Sequence, residues 1–461
     1  FEEFCSFYKM ISTRRDLYLI MISYSNQKEV MDLHDLARFL ENEQKVQQKF
    51  PGRSLVSGER PDYIVSHRPT CISNFSGFTN FMRSPTGDIF NPEHNQVNQD
   101  MTQPLNNYFI ATSHNTYLSG DQLLSQSRVE MYAYVLQAGC RCVEVDCWDG
   151  PDGEPIIHHG YTLTSKILFK EVIETINKYI NPDHTSASCR YPVILSIENH
   201  CTVPQQKKMA EYLTEVLQDK IDLSSVNVHE LSRALSDLVK YTKSVRVHDV
   251  ETQGTRPSKQ TLSLFIFSSN FKQNLISKDL VRFNQRQLVR VYPSNYRVDS
   301  SNFNPQPYWN AGCHMVAMNY QTEGRMLELN RAKFSTNGNC GYILKPKCAL
   351  NPMLEDPLPG HKKTQLVLKI ISGQQLPKPK DSMFDPFVEV EIIGLPVDCS
   401  KQQTRAVDDN GFNPMWEETL VFNIQMPQIA LVRFQVWDHD PIGRDFIGQR
   451  TVAFTSMMPG R

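Results

Sequence analysis

The chain has 461 residues, of which 40% are hydrophobic and 21% are charged, and its formal net charge is −2. This length is enough for about two to four domains with substantial apolar cores. The near-neutral balance provides no overall basic field, so bulk attraction to nucleic acid is not expected. No apolar run approaches the ~20 residues that a membrane-spanning helix needs, so we expect any membrane to be approached from the water side.

Residues 1–100 are predicted to be mostly helical, because apolar residues recur at helical spacing over 1–11 and again over 30–39. Residues 23–29 lie between these two stretches, where a helix–loop–helix protein would carry its calcium loop. They lack the ladder of Asp and Asn residues and the central Gly that such a loop requires. We therefore predict a degenerate EF-hand-like scaffold here and not a calcium sensor.

Residues 101–346 have a different pattern, in which short apolar and β-branched runs are separated by helical stretches over 166–179 and 205–217. Seven strands are predicted: Tyr108–Thr112, Arg141–Trp148, Pro192–Glu198, Asp237–Tyr241, Leu288–Tyr292, Met315–Asn319 and Tyr342–Leu344. Strand–helix alternation over this length predicts a TIM-type parallel barrel, with a first half over 101–226 and a second half over 231–346.

Residues 347–363 are rich in Pro, Lys and polar residues and are predicted to form a linker. Residues 364–461 then show only strand patterns, with Asn-Gly and Asn-Pro turn signals between them. The predicted strands are Gln365–Ile371, Phe387–Ile393, Glu418–Ile424 and Ala430–Trp437. This pattern indicates a β-sandwich that is incomplete at its C-terminus, so the whole chain is expected to combine α+β and α/β domains.

The chain contains 11 cysteines, with neither the spacing of a disulfide framework nor a Cys-x-x-Cys pair. We interpret them as reduced core residues of a cytosolic protein. A zinc site is the alternative interpretation.

Polar residues interrupt or follow three predicted strands near their carboxyl ends. Asn115 follows the first strand, Glu144 and Asp146 lie in the second, and Glu198 ends the third. Such strand ends share one mouth in a parallel barrel, and Glu144 and Asp146 lie on the same strand face because they are two residues apart. Three carboxylates and an amide form an all-oxygen site that suits calcium or magnesium better than zinc. The alternative is a hydrogen-bonded network that rigidifies the barrel mouth.

Two histidines lie close in sequence to this set. His114 directly precedes Asn115, and His159 follows the second strand in a His-His-Gly sequence. Two imidazoles beside a cation suit phosphoryl chemistry, because one can donate to the charged phosphoryl oxygens while the other protonates the leaving oxygen. The alternative is that each histidine is a structural residue with satisfied hydrogen bonds.

Several motifs, in chain order, resemble one known family. In the first half they are Ser-His-Asn-Thr-Tyr-Leu at 113–118, Val-Glu-Val-Asp-Cys-Trp-Asp-Gly at 143–150, His-Gly-Tyr-Thr at 159–162 and Val-Ile-Leu-Ser-Ile-Glu-Asn-His at 193–200. In the second half they are Arg-Val-Tyr-Pro at 290–293, Asp-Ser-Ser-Asn at 299–302 and Trp-Asn-Ala-Gly-Cys at 309–313. Together they resemble eukaryotic phosphoinositide-specific phospholipases C. Residues 387–392 and 437–445 are most similar to the C2-type domain of the eta type.

This resemblance implies calcium-dependent hydrolysis of phosphatidylinositol 4,5-bisphosphate to diacylglycerol and inositol 1,4,5-trisphosphate, through a cyclic phosphate. It implies that Asn115, Glu144, Asp146 and Glu198 hold the catalytic Ca2+. Either Glu198 or Glu144 is then expected to take the proton of the inositol 2-hydroxyl.

The same resemblance implies further roles. His114 is expected to stabilise the phosphoryl group, and His159 to protonate the departing diacylglycerol and then to activate water. Arg290 and Tyr292 are expected to contact the inositol ring and its 4-phosphate, a task for which the planar donor fork of arginine is suited. Ser268 is the expected serine partner of the 4-phosphate.

Leu123, Tyr161, Leu163 and Tyr296 match positions that form an apolar rim around the active site of the family. Such a rim can enter lipid without spanning it, so the expected partners are an inositol phospholipid and an anionic membrane surface. This implies a cytoplasmic protein that binds the plasma membrane or other cytosol-facing membranes reversibly, under an activator that the sequence does not identify. The alternative is that these four residues pack beneath neighbouring loops.

Four aspartates of the sandwich, Asp385, Asp438, Asp440 and Asp445, are predicted to lie in loops. There they could gather a second calcium ion and bridge it to anionic lipid heads. The alternative is ordinary turn chemistry, because Asp favours turns.

The chain departs from the family in one region that bears on catalysis. The family has a fourth barrel strand with two lysines for the ring phosphates, whereas residues 224–230 run almost directly into the second half without a Lys-x-Lys strand. The seven predicted strands are one short of a closed barrel, which would leave a strand edge unpaired. Lys240 and Lys243 could substitute in part. We expect the calcium site to survive, and a catalytically impaired lipid- or inositol-phosphate-binding scaffold is the alternative function.

Overall fold

The structure is a computed structural model that describes residues 3–4, 15–42, 74–83, 88–180, 191–221, 235, 243–246, 263–269, 278–346, 364–377, 384–440 and 442–458. These residues form, in chain order, a helical region, a barrel and a sandwich. All seven described cysteines are free thiols, and six of them are buried. None of the helices in the described part of the chain has the length and apolar character that crossing a bilayer requires.

The helical region contains α1 (Arg15–Tyr24), α2 (Leu33–Asn42) and α3 (Phe75–Arg83). Met21, Phe39 and Phe78 are buried in its core, where the rings of Phe39 and Phe78 pack edge to face at 5.3 Å. α2 agrees with the helix predicted over 30–39. α1 is not predicted, because its sequence is too continuously apolar to show a helical period. Only residues 3 and 4 of the helix predicted over 1–11 are described, and both are helical.

The described residues of the barrel form ten strands and six α-helices. Its strands are β1 (Tyr108–Ser113), β2 (Cys142–Trp148), β3 (Ile156–Ile157), β4 (Ile167–Leu168), β5 (Ile194–Asn199), β6 (Lys243–Arg246), β7 (Ser263–Ser268), β8 (Leu288–Tyr292), β9 (Met315–Met318) and β10 (Tyr342–Leu344). Its helices are α4 (Glu130–Gln137), α5 (Phe169–Tyr179), α6 (Val203–Leu217), α7 (Lys278–Arg286), α8 (Gln306–Asn310) and α9 (Arg325–Phe334). Seven strands run parallel in the order β5-β2-β1-β9-β8-β7-β6, which is the parallel arrangement expected from the sequence.

Three barrel strands differ from the prediction. The strand predicted over 237–241 lies outside the described residues, and the parallel strand found near it is β6. β7 is not predicted, because a short apolar run cannot be assigned by periodicity alone. The strand predicted over 342–344 is present as β10, but it pairs antiparallel with β1 and therefore does not belong to the parallel series.

The parallel series has β5 at one end and β6 at the other. No ladder between β5 and β6 occurs within the described part of the chain, and between 222 and 242 the structure describes only Leu235. Among the described residues the two ends of the parallel series are therefore not joined at the position where an eighth strand is expected. The absence of that strand stays a prediction.

The sandwich contains β11 (Thr364–Ser372), β12 (Pro386–Ile393), β13 (Ser400–Gln403), β14 (Met415–Ile424), β15 (Leu431–Asp440) and β16 (Gly443–Ala453). β11 pairs with β14, and the second sheet has the order β13-β12-β15-β16, with all pairs antiparallel. Val390, Trp416 and Phe422 are buried between the sheets. The four predicted strands are confirmed, whereas β13 and β16 are not predicted because their sequences are largely polar.

Candidate active site

Three acidic side chains of the neighbouring strands β2 and β5 lie close together at the barrel mouth. The strands are adjacent and parallel, with Asp146 opposite Glu198 and with Glu144 two residues before Asp146. Each of the three residues offers an oxygen within 4.8 Å of the other two, and no other group of this kind occurs among the described residues. Glu144 and Asp146 are buried, whereas Glu198 is exposed. The fold thus brings together the three carboxylates that were predicted to share a cation.

Asn115 lies beside this group on the turn after β1. Its φ of 39° is left-handed, a conformation that Asn tolerates better than most residues. Its backbone N–H donates to Glu144 Oε2 at 2.9 Å, and its side-chain Nδ2 donates to Gln122 Oε1 at 2.7 Å. Because Gln122 holds the nitrogen end of the amide, Oδ1 is the atom that can serve as a ligand.

Of the three acidic residues, Asp146 is the one whose charged form is most strongly disfavoured by its surroundings. Burial raises the pKa of Asp146 well above its ordinary value, and repulsion from Glu144 and Glu198 raises it further. Tyr117 donates its hydroxyl to Asp146 Oδ2 at 2.5 Å, but Oδ1 is buried without a hydrogen-bond partner among the described atoms. A divalent cation would satisfy such an oxygen and remove the repulsion. The residues present therefore fit an oxygen-coordinated calcium ion.

Glu144 is paired with a buried arginine. Arg290 Nη2 lies 2.8 Å from Glu144 Oε2, and the two side chains are 3% and 7% exposed. Burial acts to raise the pKa of Glu144, but the charges of Arg290 and His114 and the N–H of Asn115 outweigh it, so the pKa is lowered. Arg290 was expected at the 4-phosphate, whereas here its guanidinium contacts a carboxylate. Since a guanidinium has five N–H donors, one contact does not prevent the other.

The two predicted histidines each have Nδ1 fixed by an oxygen. His114 Nδ1 lies 2.9 Å from Asn319 Oδ1, and His159 Nδ1 lies 2.7 Å from the backbone carbonyl oxygen of Gln122. Both partners are acceptors, so each neutral imidazole carries its proton on Nδ1 and keeps Nε2 for another ligand. Burial lowers the pKa of His114, and the charge of Glu144 only partly opposes this effect.

The predicted substrate contacts lie on two neighbouring strands. Ser268 stands opposite Tyr292 in the parallel register of β7 and β8, and both are half-buried. Arg290 is two residues before Tyr292 and therefore on the same strand face. The fold brings these three side chains to one side of the barrel mouth, and their contact with a substrate stays a prediction.

The four predicted rim residues lie on loops around this mouth. Tyr161, Leu163 and Tyr296 are 98%, 81% and 88% exposed, and Leu123 is 45% exposed. Leu163 N–H donates to the carbonyl oxygen of Leu123 at 2.9 Å, which joins two of these loops. This exposure argues against the alternative in which these residues pack beneath neighbouring loops.

Three of the four aspartates of the sandwich are placed differently from the prediction, whereas Asp385 lies in a loop before β12 as predicted. Asp438 and Asp440 lie within β15 and Asp445 within β16, because these strands extend further than their sequences suggest. Asp438 Oδ1 accepts the backbone N–H of Asp385 at 2.8 Å, which is a structural use of the carboxylate. The four side chains do not form a convergent group of the kind found at Glu144. A calcium site here stays a prediction.

Two residues of the site were not predicted. His200 Nε2 lies 3.0 Å from Glu198 Oε1, and its ring stacks on Trp148 with centroids 4.0 Å apart. Its position two residues after Glu198 was the only signal that the sequence offered. Gln122 contacts both Asn115 and His159, and no sequence pattern indicates this because all three residues lie outside regular strands.

Family models match the chain in four consecutive regions. They are the phosphoinositide-specific phospholipase C, efhand-like model over 7–92, the phosphatidylinositol-specific phospholipase C X domain over 101–240, its Y domain over 235–348 and the C2 domain over 364–461. These matches follow the order of the helical region, the barrel and the sandwich.

Several curated proteins align with the whole chain. The 1-phosphatidylinositol 4,5-bisphosphate phosphodiesterase eta-2 of Mus musculus is 49% identical and covers 100% of this chain and 43% of its own length. The 1-phosphatidylinositol 4,5-bisphosphate phosphodiesterase delta-4 of Xenopus laevis is 38% identical, and the alignment covers 100% of this chain and 70% of that protein. The inactive phospholipase C-like protein 2 of Homo sapiens is also 38% identical and covers 100% and 47%. The crystal structure of S. officinalis PLC21 matches with a TM-score of 0.78 and 30% identity, over 98% of this chain and 66% of that chain.

An EF-hand-like region, a barrel in X and Y halves and a C2 sandwich define one class of protein, and the chain belongs to the phosphoinositide-specific phospholipase C family. Within that family it is similar to the eta type, as the sequence motifs indicated. The chain spans less than half the length of the eta-type relatives.

Proposed function

We propose that this chain hydrolyses phosphatidylinositol 4,5-bisphosphate to diacylglycerol and inositol 1,4,5-trisphosphate, with calcium, at a cytosol-facing membrane. The observation that carries the proposal is the meeting of Glu144, Asp146 and Glu198 around a buried oxygen of Asp146 that has no hydrogen-bond partner among the described residues. The names of the eta-type relatives support the substrate, and the exposed rim supports a membrane as the place of action.

In this proposal Asn115, Glu144, Asp146 and Glu198 hold the calcium ion. When bound, Ca2+ lowers the pKa of the inositol 2-hydroxyl and neutralises phosphoryl charge. Glu198 is the better base of the two glutamates, because it is exposed while Glu144 Oε2 is occupied by Arg290 and by the N–H of Asn115.

The proton transfers follow from the two imidazoles. Glu198 takes the proton of the 2-hydroxyl, whose oxygen attacks phosphorus, and the bond from phosphorus to the glycerol oxygen breaks. Protonated His159 gives the proton on Nε2 to that oxygen, which releases diacylglycerol and leaves a cyclic phosphate. Neutral His159 then takes a proton from water, whose oxygen opens the ring as Glu198 returns its proton to the 2-oxygen.

His114 must carry a second proton to donate from Nε2 to a phosphoryl oxygen, because its Nδ1 proton points to Asn319. Burial lowers the pKa of His114 in the free protein. A phosphate group nearby favours the charged imidazole, so we propose that His114 is protonated when the substrate binds. Arg290 keeps free donors for the 4-phosphate while it holds Glu144.

The second candidate function is a lipid-binding scaffold without turnover. It is supported by the predicted lack of a Lys-bearing fourth strand and by the similarity to a relative named as inactive. Both functions require vesicle binding, and only the first requires product release.

The test is release of inositol trisphosphate from vesicles that contain phosphatidylinositol 4,5-bisphosphate, in calcium buffers. We expect chelation to stop release and Glu198→Gln to lower it by about a hundredfold, because loss of a ligand weakens the metal and loss of a base slows proton transfer. Glu174→Gln, at an exposed position on α5, is the matched control and should behave like the parent. Turnover that survives chelation would exclude the calcium mechanism, and vesicle binding without turnover would favour the scaffold.

A further inference from the structure

Gln122 is a buried residue on the loop between β1 and α4, with a side-chain partner at each end of its amide. It is 6% exposed. Its Oε1 accepts Nδ2 of Asn115 at 2.7 Å, and its Nε2 donates to Ser300 Oγ at 2.8 Å. Asn115 belongs to the first half of the barrel and Ser300 to the second, so this one amide connects a proposed calcium ligand to the opposite half.

We propose that Gln122 is a positioning residue that turns the oxygen of the Asn115 side chain toward the calcium site. This inference rests on the proposed function, because it assumes that Asn115 is a ligand. The two ends of an amide have nearly the same shape, and the terminal torsion of Asn is broad. A hydrogen-bond acceptor at one end is therefore needed to keep the NH2 group away from a cation.

The orientation of Gln122 is set in turn by a chain of donors and acceptors that can run in one direction only. Ser300 Oγ donates to the backbone carbonyl oxygen of Gly120 at 2.7 Å, and a carbonyl oxygen can only accept. Ser300 Oγ must then accept from Gln122, which places Nε2 toward Ser300 and Oε1 toward Asn115. The reverse orientation would set two NH2 groups of Gln122 and Asn115 against each other.

The backbone of Gln122 has separate contacts. Its carbonyl oxygen accepts His159 Nδ1 at 2.7 Å, and its N–H donates to the carbonyl oxygen of Val298 at 2.8 Å. A substitution of the side chain leaves both backbone groups in place. The contribution of the side chain to calcium binding can therefore be measured apart from the contact with His159.

The test measures calcium affinity of the full chain without lipid by isothermal titration calorimetry. A second readout is the rise in melting temperature that calcium produces. We expect Gln122→Met to weaken binding at the site by about tenfold, as is typical when a partner of a metal ligand is lost. Gln122→Glu keeps an acceptor for Asn115 Nδ2 and should bind calcium more tightly than Gln122→Met. If Gln122→Met does not fold, Gln122→Asn replaces it, since its shorter side chain cannot span both partners.

Gln321→Met is the matched control. Gln321 Nε2 donates to the same two groups, the carbonyl oxygen of Gly120 and Ser300 Oγ, at 3.2 Å each, but Gln321 has no bond to Asn115. It should leave calcium affinity unchanged. Equal weakening in Gln321→Met and Gln122→Met, or parent affinity in Gln122→Met, would overturn the inference.

Glu198→Gln separates this inference from the proposed function. The difference in calcium binding between the parent and Glu198→Gln measures binding at the proposed site, apart from any other calcium binding by the chain. If Glu198→Gln binds like the parent, the proposed function fails and the inference fails with it. If Glu198→Gln loses binding while Gln122→Met keeps it, only the role of Gln122 is wrong.

Discussion

At the scale of single residues, Asp146 shows how the proposed function and the stability of the fold oppose each other in this barrel. Its carboxylate is buried beside two others, and one of its oxygens has no partner among the described atoms. A structural role alone would favour a neutral side chain at this position, because burial and like charges disfavour the charged form. The arrangement is explained if the cost is recovered when a cation binds.

We expect Asp146→Asn to be more stable than the parent in chelator by about 1 kcal/mol, a size typical of single stabilising substitutions. The variant keeps an oxygen for Tyr117 and loses the repulsion from Glu144 and Glu198. The parent carboxyl has its pKa raised above the ordinary 3.8, so its contribution to stability falls as pH rises through the range above that value. The measurement is urea unfolding in EGTA across this pH range, repeated with calcium.

The repeat with calcium, and the order of the two stabilities in EGTA, can contradict this prediction. Calcium should stabilise the parent and should have little effect on Asp146→Asn. A variant that is less stable than the parent in EGTA would show that the carboxylate serves the fold through bonds of its own.

At the scale of elements, the loops of the barrel mouth present apolar side chains to solvent. Tyr161 and Leu163 lie between β3 and β4, and Tyr296 follows β8. Large apolar side chains that are almost fully exposed contribute little to the stability of the folded chain. Such side chains stabilise a fold only when their surface is removed from water. Because they lie around the proposed lipid-cleaving site, we propose that they contact a membrane.

Leu163→Ser should weaken binding to anionic vesicles by about tenfold, because burial of a leucine side chain contributes ~1.5–3 kcal/mol. Hydrolysis of a short-chain, monomeric substrate should stay near the parent rate, since Leu163 is neither a proposed calcium ligand nor a proposed acid or base. Vesicle sedimentation and a soluble-substrate assay measure the two effects. Leu19→Ser, at an exposed position on α1, is the control, and an equal loss of vesicle binding in both variants would argue against a specific rim.

At the scale of the whole molecule, the sandwich and the barrel share a packed interface. Ile393, Leu431 and Ala453 of the sandwich belong to the same apolar core as side chains of the barrel. Arg433 of β15 lies 2.8 Å from Glu328 of α9, and the two side chains are 8% and 15% exposed. An interface with a largely buried ion pair at its edge couples the stability of the two domains.

We expect Glu328→Gln to lower the stability of the interface by about 2 kcal/mol. The charge of Arg433 then keeps only Glu391 as an acidic partner, whose Oε2 lies 3.9 Å from Arg433 Nη1. Differential scanning calorimetry should show the first unfolding transition at a lower temperature. Glu323→Gln is the matched control in an exposed ion pair with Arg331, also on the barrel side, and such pairs contribute less than about 1 kcal/mol. Equal shifts in the two variants would exclude a special role for the buried pair.

The sequence by itself determined the barrel, the sandwich and the acidic residues of the mouth. Strand periodicity located β1, β2 and β5, and their carboxyl ends identified Asn115, Asp146 and Glu198, because parallel strands bring equivalent ends to one place. These inferences depend only on local spacing and on topology. They failed where local pattern is weak, as in the polar β16 and the continuously apolar α1.

Only the tertiary structure decided which atoms face each other. The pairing of Arg290 with Glu144, the tautomer of His159 and the bonds of Gln122 join residues from separate loops and strands. No periodicity encodes such contacts, because they depend on distances between chain segments and on the direction of each donor and acceptor. A sequence pattern can therefore name the candidate ligands of a site, and the folded chain determines how each of these side chains is oriented.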